Sequence, residues 1–233
     1  TVCQAKSVVI TSHRSPDGDA LGSSLALQHL LASMGVTSHV ILPDACPKFL
    51  HWMPGHDDVL FYDEHSSEAQ ERLSAADVVF CLDYNAPSRT GEMSSWIEAS
   101  SSDPHVHVVM IDHHRDPVPF ADVMLCDDST GSTCELVFRL MEAWNAESSL
   151  SQDIAVCLYC GLITDTGSFR FSSVQPSSHR MAAALLETGM DHSRIHALVY
   201  DTCRLDQIRL TSYALSQKLV VFPEHRSAIV SLS

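Results

Sequence analysis

Apolar residues recur along this chain in two rhythms, short unbroken runs and stretches spaced like one face of a helix, and the two alternate. Residues 7–12 (SVVITS) form a β-rich run that ends in a polar loop. Residues 20–34 carry apolar side chains at 21, 25, 27, 30, 31 and 34, close to helical spacing, and Gly35 stops them. A second strand is predicted over 39–42, then a connection punctuated by Pro43, Pro47, Pro54 and Gly55, then a helix over 66–76. The runs 78–82 (VVFCL) and 106–111 (VHVVMI) are strongly apolar, as expected of central strands buried on both faces. The Ser-rich stretch 94–103 between them reads as a helix with a surface loop. A short strand at 123–126 and helices at 134–143, 153–163 and 178–188, the last closed by Gly189, continue the alternation. It predicts an α/β layered domain with a mainly parallel β-sheet flanked by helices.

Beyond Met190 the rhythm changes. Residues 193–200 and 205–218 read as helices and 227–232 (SAIVSL) as a strand. A strand that follows two helices needs partners, and so short a segment cannot build its own core. The expected organisation is a main domain over 1–190, a helical linker over 191–218, and over 219–233 the start of a second domain that is missing or truncated.

Composition narrows the function classes. The chain has 233 residues, 45% hydrophobic and 18% charged, enough apolar material for a real core and against intrinsic disorder. No stretch approaches the ~20 apolar residues of a membrane span, and residues 1–6 lack a signal-like apolar segment. A cytoplasmic protein with no membrane partner is expected. Against 14 Lys and Arg stand 29 Asp and Glu, for a net charge of −15, the opposite of a duplex-binding footprint. An acidic chain can still handle phosphate if its carboxylates hold divalent cations, and 14 histidines put metal ligation in view. The one C-x-x-C, Cys157-Leu158-Tyr159-Cys160, lies in a helical run without a second such pair and reads as core.

Ligands of open α/β sheets gather beyond the carboxyl ends of the strands, and the polar residues cluster there. His13, Asp17 and Asp19 follow the first strand, Asp83 follows 78–82, and Asp112-His113-His114 follows 106–111. Asp165 follows the helix over 153–163. Singly, each has a plainer reading. Asp17 and Asp19 suit a turn beside Pro16 and Gly18, Asp83 suits a helix N-cap, the histidine pair suits the surface, and Asp165 suits a loop. Together they point to metal chemistry. Mixed carboxylate and imidazole donors suit Mn²⁺, Co²⁺, Fe²⁺ or Zn²⁺ better than Mg²⁺. Two such ions ~3.5–4 Å apart would activate water and neutralise a phosphoryl group, with Asp83 as the bridge between them.

In order along the chain, His13-x-x-Pro16-Asp17-x-Asp19-x-x-Gly22-Ser23, Asp83, Asp112-His113-His114-Arg115 and Thr164-Asp165-Thr166-Gly167 resemble the four signature motifs of the DHH phosphoesterase superfamily. The resemblance runs from about residue 7 to 233, and it is closest to the NrnA-type branch of nano-RNases and pAp phosphatases, often labelled exopolyphosphatase-related. It implies the DHH fold and two divalent ions, Mn²⁺ first, with Co²⁺ or Mg²⁺ as substitutes. It places His13, Asp17 and Asp83 on one ion and Asp19, Asp83, His113 and Asp165 on the other. His114 would contact the scissile phosphate, Asp112 would orient an imidazole, and Arg115 and Arg170 would help bind phosphate. The implied substrates are short oligoribonucleotides, 3′-phosphoadenosine 5′-phosphate (pAp) or linear dinucleotides, and a homodimer is compatible with it. Exopolyphosphatase, family II pyrophosphatase and a non-catalytic nucleotide sensor are the alternatives. The Gly-Gly-Gly-His element of the family's second domain does not occur in this sequence.

Overall fold

A computed structural model describes residues 2–232, so the outermost positions of the expected domains, Thr1 and Ser233, lie outside the described residues. The strands β1 (Val8–Thr11), β2 (Ser38–Leu42), β3 (Leu60–Phe61), β4 (Val78–Leu82), β5 (His107–Asp112) and β6 (Val123–Cys126) form one sheet. Its order is β3-β2-β1-β4-β5-β6 and every pairing is parallel. The order reverses between β1 and β4, which run in register from Val8 opposite Val78 to Thr11 opposite Cys81. Such a reversal leaves a crevice beyond the strand ends.

Alternate residues of each strand feed two apolar layers. Val8, Ile10, Val78, Phe80 and Leu82 face the layer containing helices α1 (Gly18–Ser33), α4 (Thr133–Ala143), α5 (Gln152–Asp165) and α6 (Pro176–Glu187). Val9, Val79, Cys81, Val108 and Met110 face Leu73 of α2 (Ser66–Ser74) and Ile97 of α3 (Ser94–Ser102). α1 is buried almost all round, because it lies between the sheet and α5. Glycines permit that approach. A Cβ on Gly22 would lie 2.5 Å from the carbonyl oxygen of Cys157, and one on Gly161 would lie 2.8 Å from Asp19 Oδ1.

Several boundaries move from those the pattern predicts. α1 begins at Gly18, because Asp17 caps it by accepting from the amides of Asp19 (3.0 Å) and Ala20 (3.1 Å). α5 extends to Asp165, so this residue sits on the last helical turn and not in a loop. β5 includes Asp112. The two-residue edge strand β3 was not anticipated in the proline-punctuated connection. Past α7 (His192–Tyr200), the helix α8 (Leu205–Tyr213) runs into a π-turn over Ala214–Lys218. An unanticipated strand, β7 (Leu219–Phe222), then pairs antiparallel with β8 (Ser227–Val230). In this last segment Leu205, Leu210, Val221 and Ile229 remain more than half exposed. Cys157 and Cys160 are fully buried on α5, and burial raises both thiol pKa values, that of Cys160 to about 12. Such thiols act as small core hydrophobes. No helix among the described residues is long and apolar enough to cross a membrane.

Candidate metal centre

The crevice at the β1/β4 reversal is lined by the residues the motifs single out. His13 and Asp17 lie on the loop that carries the chain from β1 into α1, and Asp19 lies in the first turn of that helix. Asp83 follows β4 directly. Its φ of +64° is a left-handed conformation that Asp tolerates better than most residues, and its amide still donates to the Ile111 carbonyl at 3.0 Å. This turn aims the side chain back toward β1. Asp112 ends β5, His113 and His114 follow it, and Asp165 reaches in from the end of α5.

Two groups of donors share Asp83. Its Oδ2 lies 3.4 Å from His13 Nε2, which is also 4.0 Å from Asp17 Oδ1. Its Oδ1 lies 3.5 Å from His113 Nε2. The same ring nitrogen is 3.2 Å from Asp165 Oδ2 and 3.8 Å from Asp19 Oδ2. Within His13, Asp17 and Asp83, and again within Asp19, His113 and Asp165, donor atoms lie within 4.8 Å of one another. Both triads therefore have the spacing to hold an ion. Asp19 is completely buried while Asp17 and Asp165 are partly open, so the cluster has a closed floor and a mouth.

Hydrogen bonds fix these side chains from behind. His13 Nδ1 donates to the Arg14 carbonyl at 2.8 Å, which turns Nε2 toward the carboxylates. Asp19 accepts from two backbone amides at the start of α4, Thr133 (2.6 Å) and Cys134 (2.9 Å), while the Thr133 hydroxyl donates to Asp83 Oδ1 at 2.9 Å. Thr133 was not singled out from the sequence. The available signal was Ser132-x-x-Glu135, a capping pattern before an apolar run, and Ser132 Oγ does accept from the Glu135 amide at 3.2 Å. Asp112, also fully buried, accepts from His114 Nδ1 at 2.7 Å, and its Oδ2 has no hydrogen-bond partner among the described residues.

The charge balance shows what the cluster lacks. Among the described residues no Lys or Arg ion-pairs with Asp17, Asp19, Asp83, Asp112 or Asp165, only histidines do. Burial, reinforced by repulsion from Asp83 and Asp165, pushes the Asp19 carboxyl pKa well up. Burial also raises that of Asp83. On the rings, burial opposes charge, but neighbouring carboxylates outweigh it and lift His13 to about 9 and His113 to about 10. Packed carboxylates with only imidazolium as counter-charge form a donor set fitted to divalent cations. The hydrogen bond to Asp112 raises the His114 pKa as well. Arg115 and Arg170 stand apart from this balance. Arg115 is largely exposed and pairs with Asp128 at 3.4 Å, and Arg170 Nε donates to the Gly167 carbonyl at 2.6 Å.

Comparison with known proteins finds relatives of the whole fold. The bifunctional oligoribonuclease and PAP phosphatase NrnA of Thermus thermophilus is 31% identical over 183 residues, 78% of this chain and 50% of that protein. The NrnA of Bacillus subtilis is 23% identical over 217 residues, 91% of this chain and 63% of that protein. The crystal structure of an exopolyphosphatase-related protein from Bacteroides fragilis superposes with a TM-score of 0.93 at 41% identity, covering 98% of this chain and 66% of that one. The chain thus spans between half and two thirds of these relatives. Residues 7–162 match the model of the DHH family, N-terminal domain, and reach from β1 to the Leu162 turn of α5, so the chain belongs to the DHH family.

Proposed function

We propose that this chain hydrolyses terminal phosphodiester or phosphomonoester bonds of small nucleotides, short oligoribonucleotides and pAp foremost, in the cytoplasm and with two divalent cations, Mn²⁺ first. The observation that carries this reading is the double use of Asp83, one oxygen toward His13 and the other toward His113. His13, Asp17 and Asp83 would hold one ion, and Asp19, Asp83, His113 and Asp165 the other. Bound there, the ions would supply the acidity that activates water and the positive charge that a transferring phosphoryl group requires.

The protein's own groups do the rest. The amides of Thr133 and Cys134 keep Asp19 from turning, and the Thr133 hydroxyl does the same for Asp83. Asp112 holds the His114 proton at Nδ1 and favours the charged ring, so Nε2–H faces outward as a hydrogen-bond donor for a phosphate oxygen. The net charge of −15 favours small anions held locally over long nucleic acid held by a basic groove.

The test is hydrolysis of a ribodinucleotide, pAp, pyrophosphate and polyphosphate, side by side, by the purified chain with Mn²⁺ supplied. Turnover of the ribodinucleotide or pAp, lost in Asp83→Asn, is expected. Turnover confined to pyrophosphate or polyphosphate would reassign the substrate. Nucleotide binding without turnover would make the chain a sensor.

A further inference from the structure

The connection between β2 and β3 holds a second group of metal donors that shares no residue with the acidic cluster. One donor atom from each of Cys46, His51 and His56 lies within 4.8 Å of the other two. Cys46 and His56 are 5% and 9% exposed, whereas His51 is at the surface, which leaves an ion a way in. The hydrogen bonding turns lone pairs, not protons, to the free edges of both rings. His56 Nδ1 lies 3.3 Å from the Asp57 carboxylate, which draws the ring proton to that side. The opposite nitrogen, Nε2, is buried with no hydrogen-bond partner among the described residues. His51 Nε2 donates to the Cys46 carbonyl at 3.2 Å, so its lone pair is at Nδ1. Backing of imidazoles by a carboxylate or a carbonyl is the way metal-binding histidines are held.

A thiolate with two imidazoles is a zinc donor set. Bond lengths of about 2.0–2.3 Å put the ligand atoms of a tetrahedral ion roughly 3.5 Å apart, within side-chain rotation of the spacing here. The two rings stack with centroids 4.3 Å apart, and coordination would splay them.

We propose that Cys46, His51 and His56 bind one Zn²⁺ ion, with water as the fourth ligand, as a structural clip on the β2–β3 connection. The ion ties Cys46 to the single turn over His56–Asp58, and binding releases the Cys46 thiol proton.

Titration of the reduced, metal-stripped chain with Co²⁺ tests this. A sulfur-to-cobalt charge-transfer band whose limiting intensity matches one thiolate–cobalt site per chain, and which Zn²⁺ bleaches, is expected, since the acidic cluster would take up Co²⁺ through nitrogen and oxygen only. Cys46→Ser should abolish the band, and Asp83→Asn should leave it. His51→Ala, a change at an exposed position, should weaken Co²⁺ binding roughly 10-fold or more with an unchanged circular dichroism spectrum. Absence of the band in the parent chain, its survival in Cys46→Ser, or unaltered affinity in His51→Ala would overturn the proposal. The last variant decides even if Cys46→Ser does not fold.

Discussion

Asp112 and His114 form a pair beside the candidate centre that need not touch an ion. A fully buried carboxylate whose hydrogen bond goes to one imidazole sets both the direction of that ring and its charge. Asp112→Asn keeps the shape and removes the charge, so the His114 pKa should fall toward its ordinary value and turnover should drop ~10–100-fold. Steady-state kinetics beside histidine NMR titration checks both, and unchanged kcat would remove His114 from the phosphate contact. The choice of Asp83→Asn over Asp83→Ala as a probe follows from backbone geometry. At φ +64°, Asn accepts the left-handed conformation that costs Ala roughly 1–2 kcal/mol, so a lost activity in the Asn variant reports on the carboxylate.

At the scale of elements, the contact of α1 with α5 matters most, because it joins core and site. Gly22→Ala would press a methyl against the Cys157 carbonyl and should cost ~1–3 kcal/mol. For a chain of this size that lowers the thermal midpoint by about 2–12 °C. A calorimetric scan unchanged from the parent would show that the helices can part freely. Elements with strong apolar runs, such as β4, were legible from sequence because central strands must be apolar on both faces. β3 was not, since two residues carry no periodicity, and β7 was not, since its apolar run follows a helical stretch without a break. The strand-end residues His13, Asp83 and His113 were legible as motifs. The support given by Thr133 and Cys134 was hidden, because it is made by backbone amides that every non-proline residue possesses.

For the whole molecule, burial divides the chain sharply. The residues of the six-stranded sheet and its helices enclose two apolar layers, while nearly every residue beyond 200 is exposed. Segments with few buried contacts open first. Limited trypsin digestion should therefore cut at Arg204 and Arg209 before any site within 7–200, as read by mass spectrometry of early fragments. A first cut at Arg89 or Arg139 would contradict this. The bonds that hold Asp19 span the chain differently, joining it to amides 114 and 115 positions further along. During synthesis, then, an emerging copy carries Asp19 long before the amides that anchor it exist. The triad of Asp19, His113 and Asp165 cannot assemble until α5 has left the ribosome and closed over α1, so an ion that needs all three donors would report that this part of the fold has closed.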